Sequence, residues 1–294
     1  MIEFFADIFG YVLNFLYGFI QNYGLALIVF SVILKLVLLP LSIKQQKTMK
    51  KSTKIQEEVR IIQDKYKNNP EKLNQETLEL YKRENMSPFS GCLSAILQII
   101  LILAMFYLVK SPLAHMKKVE PALIENYTNE LKASLSEDEK KNLVYPEITL
   151  IKEATSKLNS DEELSEEQRQ DYEKLYINME FLGLDLSSVP SKDLSDPKVF
   201  IIPALYVISS FISIRLSSNI GKKKEDGKEE KTELDAVASA NKSMMWMMPI
   251  MSISIALIAP LGLALYWLVN NILMTLERLI LNKFFEGKED EKNA

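Results

Sequence analysis

Lys35 is the residue whose position in this sequence most clearly indicates chemistry. It is the only charged residue between positions 24 and 43, a run long enough for one membrane-spanning helix. A lysine at the centre of a bilayer costs about 2.5–3.5 kcal/mol on insertion scales. The next basic residue, Lys44, is nine positions further on, about 13 Å along a helix. We therefore expect Lys35 to face water or an acidic group of a bound molecule.

Other polar residues inside apolar runs could line the same wet surface. Ser31 lies one helical turn before Lys35 and shares its face. The remaining candidates lie in the second, third and fifth apolar runs: Gln98, then Ser209, Ser210 and Ser213 with Ser217 nearby, then Tyr266, Trp267 and Asn270 with Asn271 beside them. The competing interpretation is helix packing, since small and amide side chains commonly hydrogen-bond between membrane helices. Both interpretations stay open for the serines and amides.

Familiar catalytic and metal-binding motifs are absent from the sequence. It contains no phosphate-binding loop, no H-E-x-x-H motif and no paired cysteines, and Cys92 and His115 are the only residues of their kinds. Ser31 and Lys35 could form the dyad of an intramembrane enzyme, but no other nucleophile–base pair is evident. We expect no enzymatic activity, no cofactor and no metal.

Five apolar runs of roughly membrane-spanning length organise the chain as an all-α polytopic membrane protein. We place the spans at residues 23–43, 89–110, 198–217, 244–259 and 260–282. The last two are separated by a turn at Ala259-Pro260-Leu261-Gly262, because Pro and Gly interrupt helices.

The charges of the connecting segments predict the orientation. Residues 44–88 carry eleven Lys/Arg against seven Asp/Glu, whereas residues 111–197 carry ten against nineteen. Basic segments next to spans stay in the cytoplasm. We therefore expect residues 44–88, the linker 218–243 and the tail 283–294 to be cytoplasmic. Residues 111–197 and the N-terminus are then external.

The first 22 residues have two possible placements. They are apolar, but Glu3 and Asp7 stand where a signal peptide would be basic. We predict that residues 1–22 form an amphipathic helix lying in the outer membrane interface. A sixth span is the alternative.

The segments outside the spans are also predicted to be helical. Residues 44–88 show two apolar stripes separated by Asn68-Asn69-Pro70, which predicts an antiparallel hairpin that packs on itself or contacts lipid head groups or a passing chain. Residues 111–197 are acidic and rich in helix formers, with helices predicted near 120–135, 147–158 and 166–182. They should form a mostly helical external domain with a solvated surface or a partner site.

Several stretches resemble the YidC-type membrane protein insertases, the bacterial branch of a family shared with mitochondria and chloroplasts. They are NYGLALIVFSVILKLVLLPLSIKQQKTMKK, LYKRENMSPFSGCLSAILQ, FLGLDLS, MMPIM and PLGLALYWLVNN, and they cover all five spans in order. The sequence departs from the family in having Lys35 where most members carry arginine, SGCLS instead of a GGCLP-type opening of the second span, and Ile100 where proline is frequent. Its external segment is longer than usual, and the long basic tail of some relatives is absent.

The resemblance implies a membrane protein insertase and chaperone that works without nucleotide hydrolysis. Family members enclose a hydrophilic groove whose charge attracts the hydrophilic flank of an incoming segment, while the apolar part leaves along the third and fifth spans. Ser31 and Trp267 match substrate-contacting positions, and Ser210 matches the groove lining. The implied location is the bacterial plasma membrane.

The implied partners are nascent membrane proteins and membrane lipids, with the general secretion translocon and the ribosome as further candidates. No direct nucleic-acid binding is expected. The rival function is an anion channel or small-solute transporter that uses Lys35 as an anion site. The internal repeats typical of transporters are not evident in the sequence.

Overall fold

Helix α1, Ile2–Ile20, shows how a largely apolar sequence acquires two faces. In the computed structural model, which describes residues 2–85, 90–161, 163–220 and 254–293, Ala6, Gly10, Leu13 and Tyr17 of this helix are buried. They recur at helical spacing and pack against the rest of the protein. The opposite face exposes large apolar side chains at Phe4, Ile8, Tyr11, Phe15 and Phe19. This face needs an apolar environment.

Helix α2, Tyr23–Lys65, is one continuous helix of 43 residues. It joins the predicted first span to the first half of the predicted hairpin and contains Pro40. After a short turn, Asn69 caps the start of the next helix: its side-chain oxygen accepts a hydrogen bond from the Lys72 amide at 3.1 Å. Helix α3 then runs from Pro70 to Arg83. Proline suits the first position of a helix because the backbone amide that it lacks would have no intrahelical acceptor there. The break thus falls at the predicted Asn-Asn-Pro sequence.

The α2–α3 hairpin has its own small core and polar contacts between its two helices. Ile55 and Leu80 are each 2% exposed. Arg83 bonds to Glu58 at 2.8 Å, and the Tyr66 hydroxyl donates to Glu76 at 3.2 Å nearer the turn. The order of these contacts is antiparallel, as the two apolar stripes predicted. The hairpin belongs to a compact unit formed by residues 34–104.

In the described part of the chain, the remaining long helices are α4, Ser90–Lys110, α9, Ile201–Ile220, and α10, Leu261–Asn293. Within the described residues, four helical stretches are long and apolar enough to cross a membrane: Ile2–Ile20, Tyr23–Thr48, Pro197–Leu216 and Leu261–Phe284. A shorter apolar stretch, Gln98–Lys110, lies in α4. The prediction of an all-α polytopic membrane protein is confirmed.

Some predicted boundaries stay predictions. Residues 221–253 lie outside the described part of the chain, so the linker and most of the fourth predicted span are outside it as well. Residues 254–258 are helical. Helix α10 continues without a break through the predicted boundary at 282–283. Because α1 has the length and composition of a span, the interfacial placement of residues 1–22 also stays a prediction.

The segment between α4 and α9 is mostly helical. It begins with a π-helical turn, Leu113–Lys117, and continues with α5, Pro121–Ser134, α6, Glu137–Lys141, α7, Pro146–Asn159, and α8, Glu166–Leu175. Ser136 and Ser165 begin α6 and α8 with capping boxes, in which each serine accepts from a backbone amide and a Glu or Gln side chain completes the pair. A two-stranded antiparallel hairpin, β1, Glu180–Phe181, and β2, Leu184–Asp185, and a 3-10 turn, Pro197–Phe200, complete it.

The helix predicted at residues 166–182 ends early, at Leu175. The carbonyl of Tyr176, just past the helix end, accepts a hydrogen bond at 3.0 Å from the ammonium group of Lys117. Ile177 and Met179, which extend the apolar pattern, are 0% and 6% exposed in an extended segment. Tertiary contacts therefore decided the backbone conformation of this segment.

Asn178 in that extended segment binds the turn between α1 and α2. Its backbone amide donates to the Tyr17 hydroxyl at 2.8 Å, and its side-chain amide donates to the Gln21 carbonyl at 3.0 Å. Its own carbonyl accepts from the Tyr23 amide at 3.0 Å. Gln21 has a positive φ of 53°, which is unusual for a residue with a side chain. These contacts hold the beginning of α2, the helix that carries Ser31 and Lys35.

Candidate functional site

Two of the candidate residues, Ser31 and Lys35, lie one turn apart on α2. Ser31 is 4% exposed, and its hydroxyl donates to the Leu27 carbonyl of the preceding turn at 2.7 Å. This bond satisfies the hydroxyl inside an apolar helix. Lys35 is half-buried, within the apolar stretch Tyr23–Thr48. A half-buried lysine at this position can present a positive charge to a bound acidic group.

A polar contact between α9 and α10 involves another candidate, Ser210. Ser210 is 5% exposed, and its hydroxyl accepts a hydrogen bond from the Asn271 side-chain amide at 2.8 Å. The Thr275 hydroxyl, one turn along α10, donates to the Asn271 carbonyl at 2.8 Å. Neighbouring Ser209 bonds within its own helix, to the Tyr206 carbonyl at 2.8 Å. The packing interpretation therefore accounts for the described hydrogen bonds of both serines.

Aromatic side chains extend the contact between α9 and α10. The rings of Tyr206 and Trp267 lie 6.1 Å apart with an interplanar angle of 41°. Trp267 is half-buried, whereas its neighbour Tyr266 is 4% exposed. Asn270 is half-buried on the next turn of α10. Adjacent positions thus differ: Tyr266 is a core residue, and Trp267 has surface that a ligand can reach.

The predicted site residues fall into two groups. Ser31, Ser209, Ser210, Ser213, Tyr266, Trp267 and Asn270 belong to the compact unit that contains residues 3–33 and 105–294. Lys35 and Gln98 belong to the unit formed by residues 34–104, in which Gln98 is exposed. Among the first group, direct contacts link α9 to α10, through Ser210 and through Trp267.

Sequence reasoning placed Asn271 beside the site without giving it a role. Its contact with Ser210 makes it a polar link between α9 and α10. The signal was its helical spacing: Asn271 and Thr275 are one turn apart, on a helix whose other residues in this stretch are largely apolar. Tyr206 was also missed, because a single tyrosine in an apolar helix has no distinguishing pattern.

Metal-ligating residues do not cluster in the part of the chain that the structure describes. No three His, Cys, Asp or Glu side chains there are arranged to hold an ion. Among these residues the recognisable chemistry is therefore a charged lysine in an apolar helix and polar and aromatic contacts between two further helices.

Comparison with known proteins gives the sequence context of these residues. Two proteins named "Membrane protein insertase YidC" match about a third of this chain. The protein from Chlorobium limicola is 44% identical over 100 residues, which are 34% of this chain and 17% of that protein. The protein from Caldanaerobacter subterraneus subsp. tengcongensis is 39% identical over 102 residues, 35% of this chain and 50% of that protein. The matched stretches thus span half or less of these relatives.

The family comparison covers far more of the chain than these pairwise matches. The model described as "60Kd inner membrane protein" matches residues 15–289. This range includes every predicted site residue, helices α2, α4 and α9, and most of α10. The chain therefore belongs to the 60Kd inner membrane protein family, the YidC-type family that its motifs resemble.

Proposed function

We propose that this protein inserts other proteins into the membrane, with Lys35 attracting the acidic flank of the incoming segment. The observation that carries the proposal is the family match over residues 15–289, together with a lysine inside an apolar helix of spanning length. A charge inside an apolar helix has a high insertion cost. A function that uses the charge explains its position.

Electrostatic attraction of the expected size can draw a carboxylate to Lys35. At an effective dielectric constant of about 20, a lysine and a carboxylate 4 Å apart attract by about 4 kcal/mol. Outward movement of each negative charge gains about 2.3 kcal/mol per 100 mV, because the outside of the membrane is positive. Partition of the apolar segment into lipid adds to this. Insertion by this route needs no nucleotide.

We further propose that α9 and α10 guide the apolar part of the substrate. Trp267 has accessible aromatic surface beside Tyr206, and apolar contacts of this kind tolerate many sequences. Ser31, Gln98, Ser209, Ser210, Ser213, Tyr266 and Asn270 complete the proposed substrate-binding set. For Ser209, Ser210 and Tyr266 the role is to shape this surface, since their described contacts are internal.

The proposed setting is the bacterial plasma membrane, with residues 44–88 and the C-terminus in the cytoplasm and residues 111–197 outside. The basic character of residues 44–88 supports this orientation. Nascent membrane proteins and lipids are the proposed partners. The secretion translocon and the ribosome are further candidate partners.

A pair of substrates and two substitutions of Lys35, one that keeps its charge and one that reverses it, test the proposal. The substrates share one apolar segment and differ only in whether the translocated flank is acidic or neutral. Lys35→Arg should keep insertion of both, because a positive charge remains. Lys35→Glu should impair insertion of the acidic flank more than that of the neutral flank. Protection of the flank from added protease measures translocation in reconstituted vesicles.

Lys44→Glu is the matched control, since it makes the same charge change at an exposed position of the same helix. Its effect on the acidic flank should be smaller than that of Lys35→Glu. Full protection of the acidic flank by Lys35→Glu would refute the electrostatic mechanism. Anion flux that depends on Lys35, measured in vesicles without substrate, would instead favour the channel or transporter function.

A further inference from the structure

The turn between β1 and β2 contains a leucine where the backbone disfavours one. The strands pair Phe181 with Leu184, so the turn consists of Leu182 and Gly183. Both have positive φ, 52° and 76°, as in the type I′ turns that favour Asn-Gly. Leucine is strained at such a position because its Cβ approaches the carbonyl oxygen that follows. The Leu182 side chain is also 87% exposed. Leucine is thus unfavourable here both for the turn and for contact with water.

The hairpin is attached to the beginnings of three helices of spanning length. The Asn22 side chain, next to the start of α2, donates to the Glu180 carbonyl at 2.6 Å. The Gly262 amide, at the start of α10, donates to the Leu186 carbonyl just after β2 at 2.9 Å. Strand β2 also contacts the 3-10 turn Pro197–Phe200, which leads into α9. The hairpin therefore lies at one end of these helices, at the level where a membrane boundary must be.

Close packing fixes this position of the hairpin. A Cβ on Gly24, in the first turn of α2, would lie 2.6 Å from the Phe181 ring. That separation leaves no room for a side chain, so the Phe181 ring rests directly on the α2 backbone. Phe181 itself is 9% exposed. The buried Phe181 holds the hairpin against the helix ends, and the adjacent Leu182 projects away from the protein.

The charges of the hairpin indicate what kind of contact Leu182 can make. Glu180 and Asp185 are directly paired across the strands, and the Lys152 ammonium group lies 4.0 Å from the Asp185 carboxylate. This pair of carboxylates on the strands does not attract anionic lipid head groups. Apolar contact is then the interaction that the hairpin tip offers.

We propose that Leu182 inserts into the bilayer interface at the end where α2, α9 and α10 begin, and so anchors the segment between α4 and α9 to lipid. Transfer of an exposed leucine into the boundary between head groups and acyl chains is favourable. It offsets the strain of a leucine with positive φ. The partner is the lipid itself, whichever side of the membrane this end faces.

Fluorescence quenching tests the contact directly in the full chain. Cys92 is the only cysteine, so a Cys92→Ser protein accepts an environment-sensitive label at Leu182→Cys. The control label is placed at Ala133→Cys, an exposed residue of α5 outside the hairpin. In vesicles containing lipids with quenchers near the head groups, the label at 182 should be quenched more strongly than the label at 133. Equal quenching, or none at 182, overturns the proposal.

The lipid composition of the vesicles separates apolar insertion from charge attraction. Quenching of the label at 182 should be no stronger in vesicles of zwitterionic and anionic lipid than in purely zwitterionic ones. Quenching that requires anionic lipid overturns the apolar contact.

An unlabelled pair of variants distinguishes a lipid contact from a mere turn residue. Asparagine is preferred at this turn position, so Leu182→Asn should raise the Tm if the tip contacts only water. If Leu182 is in lipid, Leu182→Asn should instead lower the Tm in bilayers, by about 3–6 °C for each tenfold loss in the folding equilibrium. Leu182→Phe keeps an apolar side chain and should leave the Tm nearly unchanged. A higher Tm for Leu182→Asn in bilayers overturns the proposal.

Discussion

Replacing two glycines of α1 by alanine should have opposite effects on stability. A Cβ on Gly10 would lie 2.1 Å from the carbonyl oxygen of His115 in the π-helical turn, whereas a Cβ on Gly18 would have no atom within 4 Å apart from the adjacent backbone of its own helix. Both residues are inside the same helix. The pair therefore separates the conformational effect of glycine from the effect of close packing.

The magnitudes follow from the geometry. Alanine is more favourable than glycine inside a helix by about 0.8–1.0 kcal/mol, so Gly18→Ala should stabilise the protein by about that amount. Gly10→Ala has the same gain, but α1 must move about 1 Å away from the turn to relieve the overlap. Overpacking of this kind costs about 1–3 kcal/mol or more. The movement also strains the contact at 2.8 Å between Asp7 and His115.

Thermal unfolding of the full chain in one detergent is the appropriate measurement. At about 2–4 °C per kcal/mol, Gly18→Ala should raise the Tm by a few degrees and Gly10→Ala should lower it by a similar amount or more. If Gly10→Ala raised the Tm as much as Gly18→Ala does, α1 would not pack against the π-helical turn, and the arrangement described for this helix would be wrong.

Two further changes test the buried polar contacts. Glu147 is 8% exposed and accepts the amides of Leu113 and Ala114 at 2.8 and 3.1 Å, so Glu147→Ala should destabilise the protein by about 1–3 kcal/mol, and Glu147→Gln, which keeps an acceptor, by less, as measured from thermal unfolding. Burial raises the pKa of the Glu147 carboxyl, so its protonation stabilises the folded protein, and this stabilisation is lost as the pH rises through the folded-state pKa. The Tm of the wild type relative to Glu147→Gln should therefore rise as the pH falls from about 7 toward 4.5. A Tm difference that is independent of pH would contradict this. For the contact between α9 and α10, a double-mutant cycle of Ser210→Ala and Asn271→Ala should give a coupling of about 0.6 kcal/mol, the average for such bonds in membranes. Additive effects in chemical unfolding would show that the 2.8 Å contact contributes nothing.

Helix positions were predictable wherever local chemistry controls them. The α2–α3 break follows from Asn69 and Pro70, which cap and start a helix in any context. The starts of α6 and α8 follow from capping boxes that need only four consecutive residues. The end of α8 was predicted wrongly, because Lys117, distant in sequence, binds the carbonyl just beyond it.

For the candidate site, residue types were easier to predict than partners. The isolated lysine was evident, since a charge in an apolar run has few explanations. The pairing of Ser210 with Asn271 was not, because the helical pattern gives the face of each residue on its own helix but not the neighbour that this face meets.

The sequence by itself determined that this is a helical membrane protein of the YidC type with a charge inside a span. Composition, periodicity and family motifs are local properties of the chain, and they suffice for these conclusions. Only the tertiary structure decided that Gly10 approaches His115, that Asn178 holds the start of α2, and that Leu182 is exposed beside the beginnings of three long helices. These contacts join residues more than a hundred positions apart or place a turn against distant helices. They depend on shape complementarity, which has no periodic signal in the sequence.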